Sequence, residues 1–399
     1  MKKFLAVMMS VVLMLTCTVI SFAGTDDAQL QFDENGKFKI LMIADFQDGA
    51  PIEEALVQFM NEALDKTEPD LVIFLGDNVM SPSDKTEESY WNAYDVALEP
   101  VVSRDIPFTL VFGNHDDESM PDITKEEMLE KYMSYDGCLA YDAEPALHGC
   151  GTHNLEVLSS DGTHTALNLW MMDSGDYVYD ENGDRDGYDC VRADQIEWYE
   201  QKADELAEEN GGTVPALMFQ HIVPQEVYEK VMMPSPFNLN MGVATKNFRD
   251  GSCYSAFMPN FYGFSGYIME PPCPSLDNDG QWESLVKTGD VKGVFFGHDH
   301  VNNYQADVNG VTAVSVPGAT YQSYNGVYQA VTLLTVDEND VENFTLENIY
   351  ASKLAVEDDS QLAGLSGHSK TEYFFTNVAR VLLCALAKIS HILGFTVGH

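Results

Sequence analysis

Cationic side chains are scarce. The 399-residue chain carries 21 Lys and Arg against 64 Asp and Glu, a net charge of −43. So acidic a molecule repels polyanions, which argues against nucleic acid as a partner and favours small or singly phosphorylated ligands. Metal-type cysteine spacing is also missing: the seven cysteines include no C-x-x-C pair, which argues against a zinc knuckle or a thioredoxin-like motif. No internal repeat is present, so the chain is not a solenoid or a propeller. Apolar residues, by contrast, are plentiful at 45%, with 11% aromatics, enough for a sizeable core.

The first residues bear on the compartment. Met1-Lys2-Lys3 is a short basic start, Phe4 to Ser21 is mostly apolar, and Ser21-Phe22-Ala23 offers a small-x-small cleavage site. Residues 1–23 therefore read as a removable signal peptide, with an uncleaved anchor as the alternative, and the folded part is expected outside the cytoplasm, secreted or at the cell surface. Export would allow disulfides. Cys138 with Cys150 and Cys253 with Cys273 each flank a short polar loop, and a fully reduced set is the rival reading.

Short β-rich apolar runs occur at Phe38–Ala44, Leu71–Gly76, Phe108–Phe112, Ala166–Met172, Ala216–Gln220 and Val291–Phe296. Helix-like stretches at Ile52–Lys66, Glu88–Val102 and Arg192–Asn210 lie between them, and the alternation predicts an α/β protein. From Val311 the segments Val311–Val316, Val327–Val336 and Phe344–Tyr350 are closely spaced and β-like, and are expected to extend a second sheet. Met232–Leu276, rich in Pro, Gly, Asn and aromatics, reads as a long ordered excursion near the site. The catalytic body is expected over 24–352, a linker over 353–372 and an amphipathic helix over 373–399. In that helix Val378, Val381, Leu382, Ala385, Ile389 and Ile392 recur at helical spacing, so it either packs back on the domain or meets a membrane surface or partner.

Five strand-like runs end in metal-ligand types: Asp45 after Lys39–Ala44, Asp77-Asn78 after Val72–Gly76, Asn114-His115-Asp116 after Leu110–Gly113, His221 after Leu217–Gln220, and His298-Asp299-His300 after Gly293–Gly297. Singly, each has an ordinary reading as a helix cap, a turn residue or a satisfied histidine. Together they place carboxylates, imidazoles and an amide at the carboxyl ends of strands, where open α/β sheets bind ligands. Gly76, Gly113 and Gly297 directly precede ligands, where a missing Cβ permits a sharp turn. The donor mixture suits two divalent ions side by side.

These motifs resemble the calcineurin-like metallophosphoesterases, whose pattern is D-x-H, G-D, G-N-H-D/E, a lone His after a strand, and G-H-x-H. The likeness is greatest to the purple acid phosphatase-like branch, through Leu167–Tyr177, Gly187–Asp189, Gln195–Trp198 and Gly289–Asn302. The resemblance implies a four-layer α/β/β/α sandwich and two metal ions (Mn, Fe or Zn). Asp45 and His300 would hold the first metal, Asn114, His221 and His298 the second, and Asp77 both. It also places Asn114 and His115 toward substrate. His115, next to Asn114, is then placed to stabilise the charged transition state or protonate the leaving oxygen; Asp116, adjacent in sequence, is a candidate to orient its ring, and Tyr188 a candidate to meet substrate at the pocket mouth. Asp173, Asp176, Tyr177, Tyr321 and Tyr324 are further candidates for the pocket mouth or for structural loops.

One element departs from the pattern. Gln47 stands where the family has the histidine of D-x-H, and it offers a neutral amide oxygen, a weaker ligand than imidazole. Asp48 is a candidate to compensate. The implied activity is hydrolysis of a phosphate monoester, from a small exported metabolite or a phosphoprotein, by attack of a metal-activated hydroxide. A phosphodiesterase, or a cell-surface binding protein on a phosphatase scaffold, are the alternatives.

Overall fold

The computed structural model describes residues 29–80, 85–118, 120, 122–234, 244–246, 253–255, 264–325 and 327–392. The expected signal segment lies outside them. Strands β1 (Lys37–Ile43), β2 (Leu71–Leu75) and β3 (Phe108–Val111) alternate with helices α1 (Glu54–Thr67) and α2 (Glu87–Val102). Helix α3 (Lys125–Met133) follows, with Thr124 and Glu127 forming a reciprocal capping box that satisfies its first free N–H groups. Next come β4 (His153–Leu158), β5 (Thr165–Met171), the hairpin β6 (Tyr177–Tyr179) and β7 (Arg185–Tyr188), and α4 (Ala193–Asn210). Gly211, at φ 72°, closes α4 in the left-handed conformation that glycine adopts at least cost.

The chain continues through β8 (Ala216–Phe219), α5 (Gln225–Val231) and a small sheet of β9 (Met233–Pro234), β10 (Ala244–Lys246) and β11 (Cys253–Ser255). Strand β12 (Phe264–Tyr267) and α6 (Gln281–Thr288) precede β13 (Val291–Phe296), β14 (Asn303–Val308), β15 (Val311–Ser315), β16 (Ala330–Asp337) and β17 (Thr345–Tyr350). Helices α7 (Ala351–Leu354), α8 (Leu362–Leu365) and α9 (Lys370–Ile392) end the described chain.

Two sheets carry the fold. One has the order β17-β16-β1-β2-β3, the other β12-β14-β15-β13-β8-β5-β4. Side chains on a strand alternate between faces, and both central strands are apolar on both. In β1, Ile40 and Met42 enter the core between the sheets while Leu41 and Ile43 join the core under α1 and α2. In β8, Leu217 and Phe219 face the intersheet core while Ala216 and Met218 face the layer that includes Tyr199, Leu206 and Trp282. This is the α/β/β/α sandwich. Each fully buried aliphatic or aromatic side chain contributes roughly 1.5–3 kcal/mol, and the three clusters hold the sheets to each other and to their helices.

Several expectations need correction. Only β15 of the late strands extends the second sheet; β16 pairs antiparallel with β1, and β17 with β16, completing the first. Strands β4 and β14 carry polar residues on half their positions and escaped notice as apolar runs. The segment 353–372 is not a free linker. Leu362 of α8 is buried in the core beside α1, and Glu62 accepts hydrogen bonds from Ser360 and Gln361. Helix α9 starts at Lys370 and packs back through its first turns. Tyr373 is fully buried, Asn377 exchanges hydrogen bonds with Ser352, and the Arg380 guanidinium lies 3.5 Å from the centre of the Tyr350 ring. Phe374, Phe375, Val381 and Leu382 remain exposed on the outer face of α9. Cys138, Cys150, Cys190 and Cys273 are free thiols, so neither anticipated disulfide forms.

Candidate metal centre

All five strand-end segments converge. Two groups of ligand atoms form, each within 4.8 Å: Asp77, His221 and His298 in one, Asp45, Asp77 and His300 in the other, with Asp77 common to both. Nε2 of His221 is 3.2 Å from Asp77 Oδ2, and Nε2 of His300 is 3.3 Å from Asp45 Oδ1. The backbone is bent to achieve this. Asp45, Gln47, Asp77 and His298 all have positive φ, at 48°, 40°, 51° and 70°. Non-glycine residues in that region cost on the order of 1 kcal/mol each and concentrate where function demands them.

The preceding glycines explain how ligands approach so closely. A Cβ on Gly76 would sit 2.6 Å from His221 Nδ1, one on Gly113 2.2 Å from Asp77 Oδ1, and one on Gly297 2.8 Å from Asp45 Oδ2. None has room for a side chain.

Each ligand is held by its other atom. His221 Nδ1 donates to the Leu75 carbonyl at 2.7 Å, leaving Nε2 for the centre. His300 Nδ1 is 3.0 Å from Asn325 Oδ1, and Asn325 in turn donates to the Gly318 carbonyl. Asn114 Nδ2 donates to Tyr177 Oη at 2.7 Å. Among the described residues, Asn114 Oδ1 and His298 Nε2 then remain buried without a hydrogen-bond partner, and His221 Nε2 and Asp77 Oδ2, 3.2 Å apart, face only each other. Orphaned buried polar atoms are rare and costly, and such atoms on this donor set fit divalent cations.

Charge follows the same logic. Burial opposes ionisation of Asp77, yet His221 and His115 outweigh it and hold the carboxyl below its ordinary range. Burial pushes His298 down to about 3 and His300 to about 4, with the neighbouring His221 adding to both, so these imidazoles stay neutral as ligands must. His221 differs: burial is overcome by Asp77 and Asp45, which raise it to about 10, so this ring holds a proton that a bound cation would have to displace.

A cavity of about 210 Å³ opens over the centre, lined by Gln47, Asp77, His115, Tyr188, Glu270, Cys273, His298, Asp299, His300, Ser323 and Tyr324. Gln47 thus reaches the site, with its backbone N–H donating to the Asp77 carbonyl. Asp48 does not: it accepts from the N–H groups of Gly49 and Glu53 at the start of α1. His115 and Tyr188 line the cavity, as does Tyr324, stacked 4.6 Å from the His300 ring.

Asp116 has a different task from the one expected. Its buried carboxylate accepts from the N–H groups of Gly113, Asp77 and Asn78, binding the loops after β2 and β3 to each other. The residue beside the His115 ring is Glu118, with Nδ1 and Oε2 2.5 Å apart, and Arg185 pairs with the other Glu118 oxygen. Asp173 accepts from the Cys150 and Gly175 N–H groups, Asp176 pairs with buried Lys125, and Tyr321 packs against the core under α1; none of the three lines the cavity. Glu118, Glu270 and Asn325 lie outside the strand-end motifs, where sequence reading had no reason to stop.

Residues 38–302 match the model of the calcineurin-like phosphoesterase family. The chain belongs to that family. Among its relatives in the purple acid phosphatase-like branch, probable inactive purple acid phosphatase 14 of Arabidopsis thaliana is 29% identical over 345 residues, covering 78% of this chain and 77% of that protein. Probable inactive purple acid phosphatase 29 of the same plant is 28% identical over 362 residues, 83% of this chain and 85% of its own length. A dimetal phosphatase from Danio rerio aligns structurally over 79% of this chain and 96% of its own, at 10% identity and a TM-score of 0.48.

Proposed function

We propose that this calcineurin-like phosphoesterase is an exported enzyme that hydrolyses phosphate monoesters at a two-metal centre. The observation that carries the proposal is the pair of buried ligand groups that share Asp77, Asp77 with His221 and His298 and Asp77 with Asp45 and His300, beside an open cavity lined by Asp77, His298 and His300. Asp45 and His300 would hold one divalent cation, Asn114, His221 and His298 the other, with Asp77 shared and Gln47 beside the first. Such cations supply Lewis acidity toward phosphate oxygens and a water of lowered pKa.

The chain's own contribution is orientation and proton transfer. With Nδ1 of His115 engaged by Glu118, Nε2 is the nitrogen left to meet substrate. The doubly protonated ring would give its Nε2 proton to the departing alcohol oxygen and be left neutral, with its remaining proton on Nδ1 toward Glu118. Tyr177 fixes the Asn114 amide so that its oxygen, not its nitrogen, faces the centre. The strong negative charge of the chain, −43, favours substrates with one phosphate over polyanions.

A second reading is a binding protein on this scaffold with little turnover. Gln47 favours it, as do the names of the Arabidopsis relatives, which call those proteins probable inactive. Metal content and turnover of the 24–399 protein separate the two, assayed on p-nitrophenyl phosphate and its bis ester beside His115→Ala. Two metals per chain and monoester turnover lost in the variant are expected; at most one metal and no turnover under added Mn, Fe or Zn would give the binding reading precedence.

A further inference from the structure

The cavity holds more carboxylate than the metal centre uses. Asp299, between ligands His298 and His300, is 2% exposed and lines the cavity. Its Oδ1 accepts from the Cys273 N–H at 3.2 Å, but Oδ2 is buried with no hydrogen-bond partner among the described residues. Glu270 lines the same wall. It accepts from the Val301 N–H at 3.0 Å and from the Tyr324 hydroxyl. The rings of Tyr324 and Tyr188 complete this side, the first stacked on His300 and the second edge-on to His298 at 4.4 Å.

These groups do not add a metal site. Among the described residues, three ligand atoms come together only in the two groups that share Asp77. Nor do they suit a second phosphate, which two carboxylates would repel. An unpartnered buried acceptor calls for an N–H or O–H donor, and a second acidic side chain with aromatic faces beside it calls for that donor to be positively charged.

We propose that Asp299 and Glu270 form a subsite for a primary ammonium group, so that the preferred substrate is an aminoalkyl phosphate. The proposal rests on the phosphoesterase reading and deepens it. The phosphate lies at the metal centre, the short carbon chain crosses the cavity, and the ammonium donates to Asp299 Oδ2 and faces the Glu270 carboxylate. A quaternary ammonium satisfies the charge but leaves Oδ2 without a donor.

Calorimetric titration of the Mn-loaded chain with 2-aminoethylphosphonate and with propylphosphonate tests this. The two are isosteric, neither is hydrolysed, and they differ only in exchanging –NH3+ for –CH3. The aminoethyl compound is expected to bind about tenfold tighter, the scale of one charge-assisted hydrogen bond. The ratio should fall toward one in Glu270→Gln and in Asp299→Asn, each checked for metal content so that a damaged centre is recognised. Equal affinities in the parent chain, or a preference untouched in both variants, would overturn the subsite while leaving the phosphoesterase reading intact. Failure of both phosphonates to bind a chain that holds its metals would overturn the phosphate site itself, and the subsite with it.

Discussion

Nδ1 of His115 and Oε2 of Glu118 lie 2.5 Å apart, and Arg185 closes on the far side of the same carboxylate. Burial alone would raise the Glu118 carboxyl, but the pairs with His115 and Arg185 outweigh it and keep it ionised below its ordinary range. An ionised partner three residues along the chain fixes both the tautomer and the direction of the imidazole.

Glu118→Gln is therefore expected to lower kcat about tenfold, as loss of an orienting partner typically does. The loss should be larger for an alkyl phosphate than for p-nitrophenyl phosphate, whose phenolate needs little protonation to leave. Steady-state kinetics on both substrates decide it: equal losses would assign Glu118 to loop structure alone.

Asp116→Ala removes the acceptor for three buried N–H groups, on Gly113, Asp77 and Asn78. Destabilisation of about 3 kcal/mol or more is expected from leaving them unsatisfied. Asp77 loses its support in the same step, so the variant should also hold less metal. Urea denaturation and elemental analysis read the two effects; a variant with parental stability and metal content would refute the bracing role.

Gln47→His restores the imidazole of the family pattern. Gln47 already sits at φ 40° with its N–H on the Asp77 carbonyl, so the new side chain inherits a placed backbone. The first site should retain metal about tenfold better, since imidazole is the stronger donor to these ions. Retention after dialysis against a graded chelator measures it, and no change would mean that position 47 is not a ligand.

His153 gives a pH dependence remote from the metals. Its Nδ1 donates to the Gly151 carbonyl at 2.7 Å and its Nε2 lies 2.8 Å from Thr109 Oγ1, which makes it a fully used neutral ring. Burial lowers it from the ordinary 6.5 to about 4. Between those values the unfolded chain binds the proton and the native chain does not, so acidification removes stability across that window. The loss is on the order of 3 kcal/mol. Denaturation midpoints from pH 7 to pH 4 should show this slope, and His153→Gln should flatten it while being less stable at pH 7.

The sandwich and the residues that gather at its candidate metal centre are legible because both rest on local signals: β-rich runs mark the strands, and a ligand type follows each run's end. Asp45, Asp77, Asn114, His221, His298 and His300 could all be found that way. Asp116 was misassigned because adjacency in sequence suggested contact with the His115 ring, whereas the turn after β3 sends its carboxylate back to the β2 loop. Asn325, Glu270 and Glu118 act across the fold or within irregular loops, where no periodicity marks them. Positive φ at Asp45, Gln47, Asp77 and His298 is not marked by residue type: Asp and His enter that region more readily than most side chains but stand far more often outside it, and Gln47 has no such preference.

The docking of α9 has a colloidal consequence. Strand β12 is the outermost member of the seven-stranded sheet, and α9 lies against it. An uncovered outer strand offers a row of unpaired N–H and C=O groups to any neighbouring molecule. Arg380, seated on Tyr350, pins the helix that lies beside this strand. A chain shortened before Lys370 would keep the residues of the candidate metal centre yet lose that neighbour and expose the buried face of Tyr373's pocket, and the loss is expected first as self-association at high concentration rather than as a change in chemistry.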